Sequence, residues 1–194
     1  MTTPLRLAVI IGSTREGRFG PVPAAWIADR ARRHGGYDVD VVDLADSDLP
    51  RNLGGFGESP HPHDHVRTLS ERLDRADAFV VVTPEYNHSF PAPLKAAIDY
   101  FQLEWHAKPI GFVSYGGVAG GQRAVEQLRQ VFCETHSMTV RNTIAFARYW
   151  ELFDDNGEPF DSHSADSAAT TMLDQIAWWG SVLRTARVDT PYGW

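Results

Sequence analysis

Cysteine is all but missing: Cys133 is the only one in 194 residues. No disulfide can form within the chain, and nothing in the composition asks for an oxidising compartment. Long apolar runs are missing too. None approaches the roughly 20 residues that span a bilayer. The run Leu7 to Ile11 is far shorter and no small-residue cleavage site follows it, so neither a membrane helix nor a signal peptide is expected. Cations are in the minority, 18 Lys and Arg against 25 Asp and Glu, for a net charge of −7. That balance excludes a broad nucleic-acid face but leaves room for a local basic pocket. Internal repeats and low-complexity tracts are absent. With 43 % hydrophobic and 22 % charged residues, the chain has the makings of a core and is not broadly disordered. A single cytoplasmic domain over residues 1–194 is expected, with no membrane and no nucleic-acid partner.

Apolar runs and helical stripes alternate along the chain. Leu5 to Ile11 is nearly continuous and rich in branched residues, as suits a strand buried on both faces. Pro21 to Arg33 reads as a helix with prolines in its first turn, ended by His34-Gly35-Gly36. Tyr37 to Leu44 alternates as a second strand, and Ala45 to His65 is a long loop. Val66 to Arg75 carries a short helical stripe, and Ala78 to Val82 is a third strand. Leu94, Ala97, Ile98 and Phe101 fall on one helix face. Pro109 to Val113 is a fourth strand, and Ala124, Leu128 and Val131 mark a fourth helix. Thr139 to Phe146 reads as the fifth strand, Arg148 to His163 as a polar loop, and Ser164 to Arg187 as the last helix. Five β-α units call for a parallel sheet with helices on both faces, in the smaller doubly wound order 2-1-3-4-5.

In such sheets ligands bind beyond the carboxyl ends of the strands, where the strand order reverses. The rule nominates three loops: Gly12 to Gly20, Thr83 to Pro93 and Ser114 to Gly121. The first leads from a buried strand into a helix start. It carries Ser13, Thr14, Arg15, Arg18 and three glycines, which is donor chemistry suited to a phosphate. Gly12 and Gly17 have the spacing of a triphosphate-binding loop, but Arg18-Phe19 stands where Lys-Ser/Thr is required, so that reading fails. The second loop combines Pro84, Pro91 and Pro93 with Tyr86 and Phe90. A stiff, aromatic-flanked loop suits a flat ring read by backbone groups, and equally a plain rigid turn.

Gly12-Ser13-x-Arg15, then Pro84-Glu85-Tyr86-Asn87 with Pro91 and Leu94-Lys95-x-Ala97-Ile98-Asp99, resembles the NADPH-dependent FMN reductases. Ser114 to Gly121 matches as well, and the resemblance covers roughly residues 5 to 145. It implies a flavodoxin-like three-layer sandwich with a five-stranded parallel sheet, non-covalent FMN, and NADPH or NADH as cosubstrate. Electrons would pass to a quinone, flavin, azo compound or other small acceptor. Ser13, Thr14, Arg15, Arg18, Phe19 and Gly20 would hold the phosphate; the family often has Ser and Asn where this chain has Arg18 and Gly20. Pro84, Glu85, Tyr86 and Asn87 would line the ring system, and Ser114, Tyr115, Gly116 and Gly117 would pass its pyrimidine edge. A homodimer or homotetramer is expected, with Tyr100, Phe101 and Trp105 at the contact; cover of a partner chain's flavin by Trp105 is the lesser alternative to a core or interface role. The alternative is a flavodoxin-type electron carrier without NAD(P)H turnover. A receiver domain of the same fold is disfavoured, because the first strand ends in Gly-Ser-Thr where a receiver needs acidic residues.

Other residues are read structurally. His61, His63 and His65 sit beside Asp64, but no second ligand cluster stands at zinc-like spacing, and no metal site is expected. His88 is either a proton donor to the flavin or substrate, or an exposed neighbour of the pocket. Cys133 is expected as a small buried hydrophobe. Trp105, Trp150, Trp178, Trp179 and Trp194 are expected in the core or at an interface. No catalytic side chain is assigned, since the flavin would carry the chemistry.

Overall fold

The computed structural model describes residues 3–47, 49 and 64–193, apart from the side chain of His65. The elements follow in the order β1 (Leu5–Ile11), α1 (Pro21–His34), β2 (Tyr37–Asp43), α2 (Asp64–Arg75), β3 (Ala78–Pro84), α3 (Ala92–Tyr100), β4 (Pro109–Gly116), α4 (Gln122–Glu134), β5 (Met138–Thr139), β6 (Ile144–Ala147) and α5 (Ser162–Asp189). All strand pairings are parallel, in the order β2-β1-β3-β4-β5, and β6 also pairs with β4. The flavodoxin-like sandwich is therefore present, with six strands among the described residues where five were expected. His61, His63 and Trp194, and the side chain of His65, lie outside the described residues.

Alternation along the central strands sorts the core into two layers. Leu7, Val9, Val80, Val82 and Val113 face α1 and α5, where Ile27, Met172 and Ile176 meet them. Ala8, Ile10, Phe79, Val81, Ile110 and Phe112 face α2, α3 and α4. Gly111 lets α5 close on β4: a Cβ there would stand 2.7 Å from Ile176 Cδ1 and 3.0 Å from Met172 Sδ.

The expected fifth strand is two short strands. Met138 and Thr139 pair with the lower half of β4, and Ile144 to Ala147 pair with its upper half. Between them the backbone turns to side-chain partners. Arg129 of α4 donates to Thr139 Oγ1 and to the carbonyls of Val140 and Arg141. Asn142 exchanges two hydrogen bonds with Gln175 of α5. A periodicity argument cannot see these partners, because the interruption leaves the apolar pattern intact. In the other direction, β3 and β4 run on to Pro84 and Gly116, so Thr83-Pro84 and Ser114 to Gly116 are strand and not loop.

Two single-residue expectations are corrected. Cys133 is exposed, because it falls on the outer face of α4 while Phe132 takes the core position. Trp105 is 1 % exposed and packs on Phe79 and Phe132, with Nε1 donating to the Ile98 carbonyl. It is a core residue and covers no partner's ligand.

Lys108 is buried at the amino edge of the sheet. Its ammonium donates to the carbonyls of Leu73 and Asp74, closing the carboxyl end of α2, and it lies over the Phe79 ring. Burial outweighs Asp74 and lowers its pKa to about 8. From about pH 8 to about 10.5 the folded chain has released a proton that the unfolded chain still holds, so this group's contribution to stability rises with pH across that window. We expect urea unfolding at pH 7 and pH 10 to move in favour of the parent over Lys108→Met by up to about 2–3 kcal/mol. A difference between the two proteins that does not change with pH would refute this.

Candidate functional site

Three chain segments leave the sheet at the carboxyl ends of β1, β3 and β4, and they meet around one open cavity of about 340 Å³. Its walls are Arg15 to Phe19, Pro84 to Tyr86, Tyr115 to Gly117, and Tyr149. The volume lies within the ordinary range for small-ligand sites. A larger cleft of about 460 Å³ runs beside α2, but it lies along the β2 edge, away from the strand ends. There Arg72 and Asp40 already satisfy each other.

The first segment follows β1. Gly12 continues the ladder onto Val82 and is packed against Leu94, with a Cβ position only 3.0 Å from Leu94 Cδ2. Ser13 is 1 % exposed and its Oγ is 2.9 Å from the Tyr86 hydroxyl, joining the first segment to the second. The N–H groups of Thr14, Glu16, Gly17 and Phe19 have no protein acceptor among the described residues. Arg15 is exposed over the Tyr86 ring and has no carboxylate partner among the described residues. Arg18 is committed to Asp43 at the end of β2, at 2.7 Å, and that hydrogen bond pushes its pKa up. Phe19 turns inward onto Tyr115, Tyr149 and Phe153. Gly20 is close-packed, with a Cβ position 3.0 Å from the Tyr115 hydroxyl.

The second segment is a tight hairpin turn. The N–H of Tyr86 donates to the Ser89 carbonyl and that of Ser89 to the Tyr86 carbonyl. Asn87 and His88 both have positive φ, 50° and 67°, as a type I′ turn demands. Two residues one turn apart on α4 hold it. Gln127 donates to the His88 carbonyl and accepts from Ser89 Oγ. Arg123 pairs with Glu85, whose other oxygen takes the Arg123 N–H, and donates to His88 Nε2. His88 Nε2 thus faces Arg123 on α4.

The third segment leaves β4. Ser114 is fully buried and its Oγ donates to the Gly120 carbonyl at 2.8 Å, folding the turn back over the strand end. Gly121 has φ 88°, and a Cβ there would stand 2.6 Å from Ser114 Cβ, so only glycine fits. Burial pushes the Tyr115 phenol up, reinforced by Tyr86 and Tyr149, so it stays protonated. Tyr115 Oη and Arg18 Nε are buried without a partner among the described residues.

Of the residues nominated from sequence, the cavity gathers Arg15, Arg18, Phe19, Pro84, Glu85, Tyr86, Tyr115, Gly116 and Gly117 on its walls. Ser13, Thr14, Gly20, Asn87 and Ser114 are absent from its lining; Ser13, Gly20 and Ser114 are buried behind it. Sequence reasoning missed Tyr149, which sits in the segment read as a polar loop. The available signal was an aromatic pair, Tyr149-Trp150, just beyond a strand's carboxyl end.

The arrangement is rich in donors on one side and aromatic on the other, on a doubly wound sheet with its opening at the strand ends. That defines a flavodoxin-like protein with an open cavity at the strand ends. The chain belongs to the NADPH-dependent FMN reductase family, whose model matches residues 5–151. It is 39 % identical over 131 residues to an NAD(P)H-dependent FMN reductase of Schizosaccharomyces pombe, an alignment covering 65 % of this chain and 64 % of that one. It thus spans just under two thirds of that relative's length. It is 29 % identical to a quinone reductase of Pseudomonas putida, over 92 % of this chain and 96 % of the other. Among solved structures, a flavoenzyme NAD(P)H:(acceptor) oxidoreductase of Paracoccus denitrificans superposes with a TM-score of 0.73 at 22 % identity, covering 92 % of this chain and 98 % of that one. That likeness shows the fold.

Proposed function

We propose that this chain is an FMN-dependent NAD(P)H oxidoreductase that delivers electrons to a quinone, flavin, azo compound or other small acceptor. The observation that carries the reading is the meeting of a donor-rich loop with the Tyr86 hairpin at one cavity, in a chain of this family. The site's chemistry fits FMN. The unengaged N–H groups of Thr14, Glu16, Gly17 and Phe19, with the uncommitted Arg15, suit a phosphate monoester. FMN, when bound, supplies the redox chemistry, taking up electrons from a nicotinamide and giving them to an acceptor.

The protein's part is to bind, orient and set the field. Arg15 and the loop N–H groups hold the phosphate. Arg18, spent on Asp43, keeps the loop against β2. Pro84, Glu85 and Tyr86 form the wall for the ring, stiffened by the clamp from α4. The N–H groups of Asn87 and Gly117 have no protein acceptor among the described residues and can stabilise negative charge on a bound ring. No side chain is assigned as catalytic.

The assembly is at least a homodimer in this reading. With Phe101 and Trp105 both in the core rather than at a contact, the support shifts to exposed apolar groups such as Leu103, beside α3, and Trp178 with Val182 on α5. A reducing, cytoplasmic compartment suits a free, exposed Cys133 thiol. Analytical ultracentrifugation at micromolar concentration should find a dimer or tetramer; a monomer that holds FMN and turns over removes the assembly reading.

FMN should bind at least about tenfold more tightly than riboflavin, because charge-assisted hydrogen bonds are worth about 1.5–3 kcal/mol each. Arg15→Ala should close most of that gap. Flavin fluorescence titrations measure both, and equal affinity of the parent protein for the two flavins would sink the phosphate assignment.

One cavity joins the segments that leave the carboxyl ends of β1, β3 and β4. In this reading NAD(P)H and the acceptor use that same space in turn. Rates with varied NADPH at several fixed quinone levels should give parallel double-reciprocal lines. Intersecting lines would mean separate sites, and absence of NAD(P)H oxidation by the FMN-loaded protein would favour the electron-carrier alternative.

A further inference from the structure

The segment Arg148-Tyr149-Trp150 adjoins the cavity and has features that fold maintenance does not use. Arg148 follows β6 directly, and its N–H donates to the carbonyls of both Gly116 and Gly117, at 2.9 Å each. This places its backbone flush against the cavity wall. Arg148 is one of few non-glycine residues with positive φ, 54°. Such a conformation is held at a cost, and it is a reason to look for a use. Its side chain is exposed and has no carboxylate partner among the described residues.

Two of the other arginines at this edge are occupied. Arg18 is bound to Asp43, and Arg123 to Glu85 and His88. Arg15 lies over Tyr86 beside the phosphate loop. Arg148 is left as a cation with no task, in a protein whose net charge is −7.

Two residues on, Trp150 is 60 % exposed. Its indole is not loose: Nε1 donates to Glu151 at 3.0 Å, and the ring meets Tyr149 edge-on with centroids 5.3 Å apart. Tyr149 itself lines the cavity. A steadied, solvent-facing indole two residues from an exposed arginine is suited to a flat heterocycle that carries a phosphate.

We infer that Arg148 and Trp150 form the docking platform for the adenosine half of the nicotinamide cosubstrate, with Arg148 on the 2′-phosphate and Trp150 against the adenine. The inference rests on the proposed NAD(P)H oxidoreductase reading and adds to it a source of preference for NADPH over NADH. No bond is made or broken in this role. Arg148 would be a specificity residue and Trp150 a binding residue.

The test uses the FMN-loaded protein and the Arg148→Ala and Trp150→Ala variants, with FMN titration to verify that the flavin site is intact. Adenosine 2′,5′-bisphosphate and 5′-AMP are titrated by calorimetry, and KM is measured for NADPH and NADH. Arg148→Ala should weaken the bisphosphate at least about tenfold more than it weakens 5′-AMP, and raise the ratio of the NADPH to the NADH KM by a similar factor. Trp150→Ala should weaken both adenosine probes, and Trp150→Phe should recover most of the loss. If the parent protein does not bind the bisphosphate, if Arg148→Ala affects both probes alike, or if the KM ratio does not move, the inference is overturned. Failure of the parent to bind FMN or oxidise either nucleotide would instead remove the broader functional reading, while the calorimetric comparison still decides this one.

Discussion

The site depends on how the parallel ladder brings three strand ends level. Ile11 of β1 lies opposite Val82 of β3, and Val82 lies opposite Val113 of β4. From that shared line α1 follows β1 to one face of the sheet and α3 follows β3 to the other, so a crevice opens where the order reverses. A slip of one residue in any of these pairings would turn each core residue of that strand to the opposite face. The hydrophobic pattern thus protects the register, and the register sets where Ser13, Pro84 and Gly116 emerge. Core packing and ligand geometry are one constraint at this edge.

Around the crevice, hydrogen bonds between segments replace a continuous ladder. Ser13 reaches Tyr86, Glu85 N–H reaches the Tyr115 carbonyl, and Arg148 N–H reaches Gly116 and Gly117. Each link joins two of the segments that shape the cavity. Buried backbone and hydroxyl groups are costly when unpaired, so these links also fix the loops. The groups that remain unengaged, the loop N–H groups after Ser13 and the Arg15 guanidinium, are the ones a phosphate would meet. The site is a set of donors left over after the fold has met its own needs.

Much of this was legible in the sequence. Strands β1 and β3 are apolar runs with only one plausible period, and α1 carries its own punctuation in Pro21, Pro23 and Gly35. The loops were legible because topology says where ligands bind. What failed was decided by partners distant in sequence. The break between β5 and β6 depends on Arg129 and Gln175, which no local window includes. Cys133 and Phe132 are neighbours that point to opposite sides of α4, and small errors of helical phase exchange them. Trp105 looked too apolar for its place after α3 until Phe79 and Phe132 closed around it. Tyr149 hid in a stretch that is polar on average.

Arginine shows why residue type alone underdetermines a role. Arg15 and Arg18 lie three residues apart in one donor-rich loop, and from sequence they were equivalent phosphate ligands. Asp43, at the end of the neighbouring strand, separates them by taking Arg18 at 2.7 Å. Arg123, on the outer face of α4, braces through Glu85 and His88 the hairpin that walls the cavity. A guanidinium acts on a ligand only with the donors its own protein has not used. In an acidic chain those unspent cations are few, and Arg15 and Arg148 both lie at the one edge where three strand ends meet. Their placement sets two cations without a carboxylate partner among the described residues at one edge of a chain whose net charge is −7.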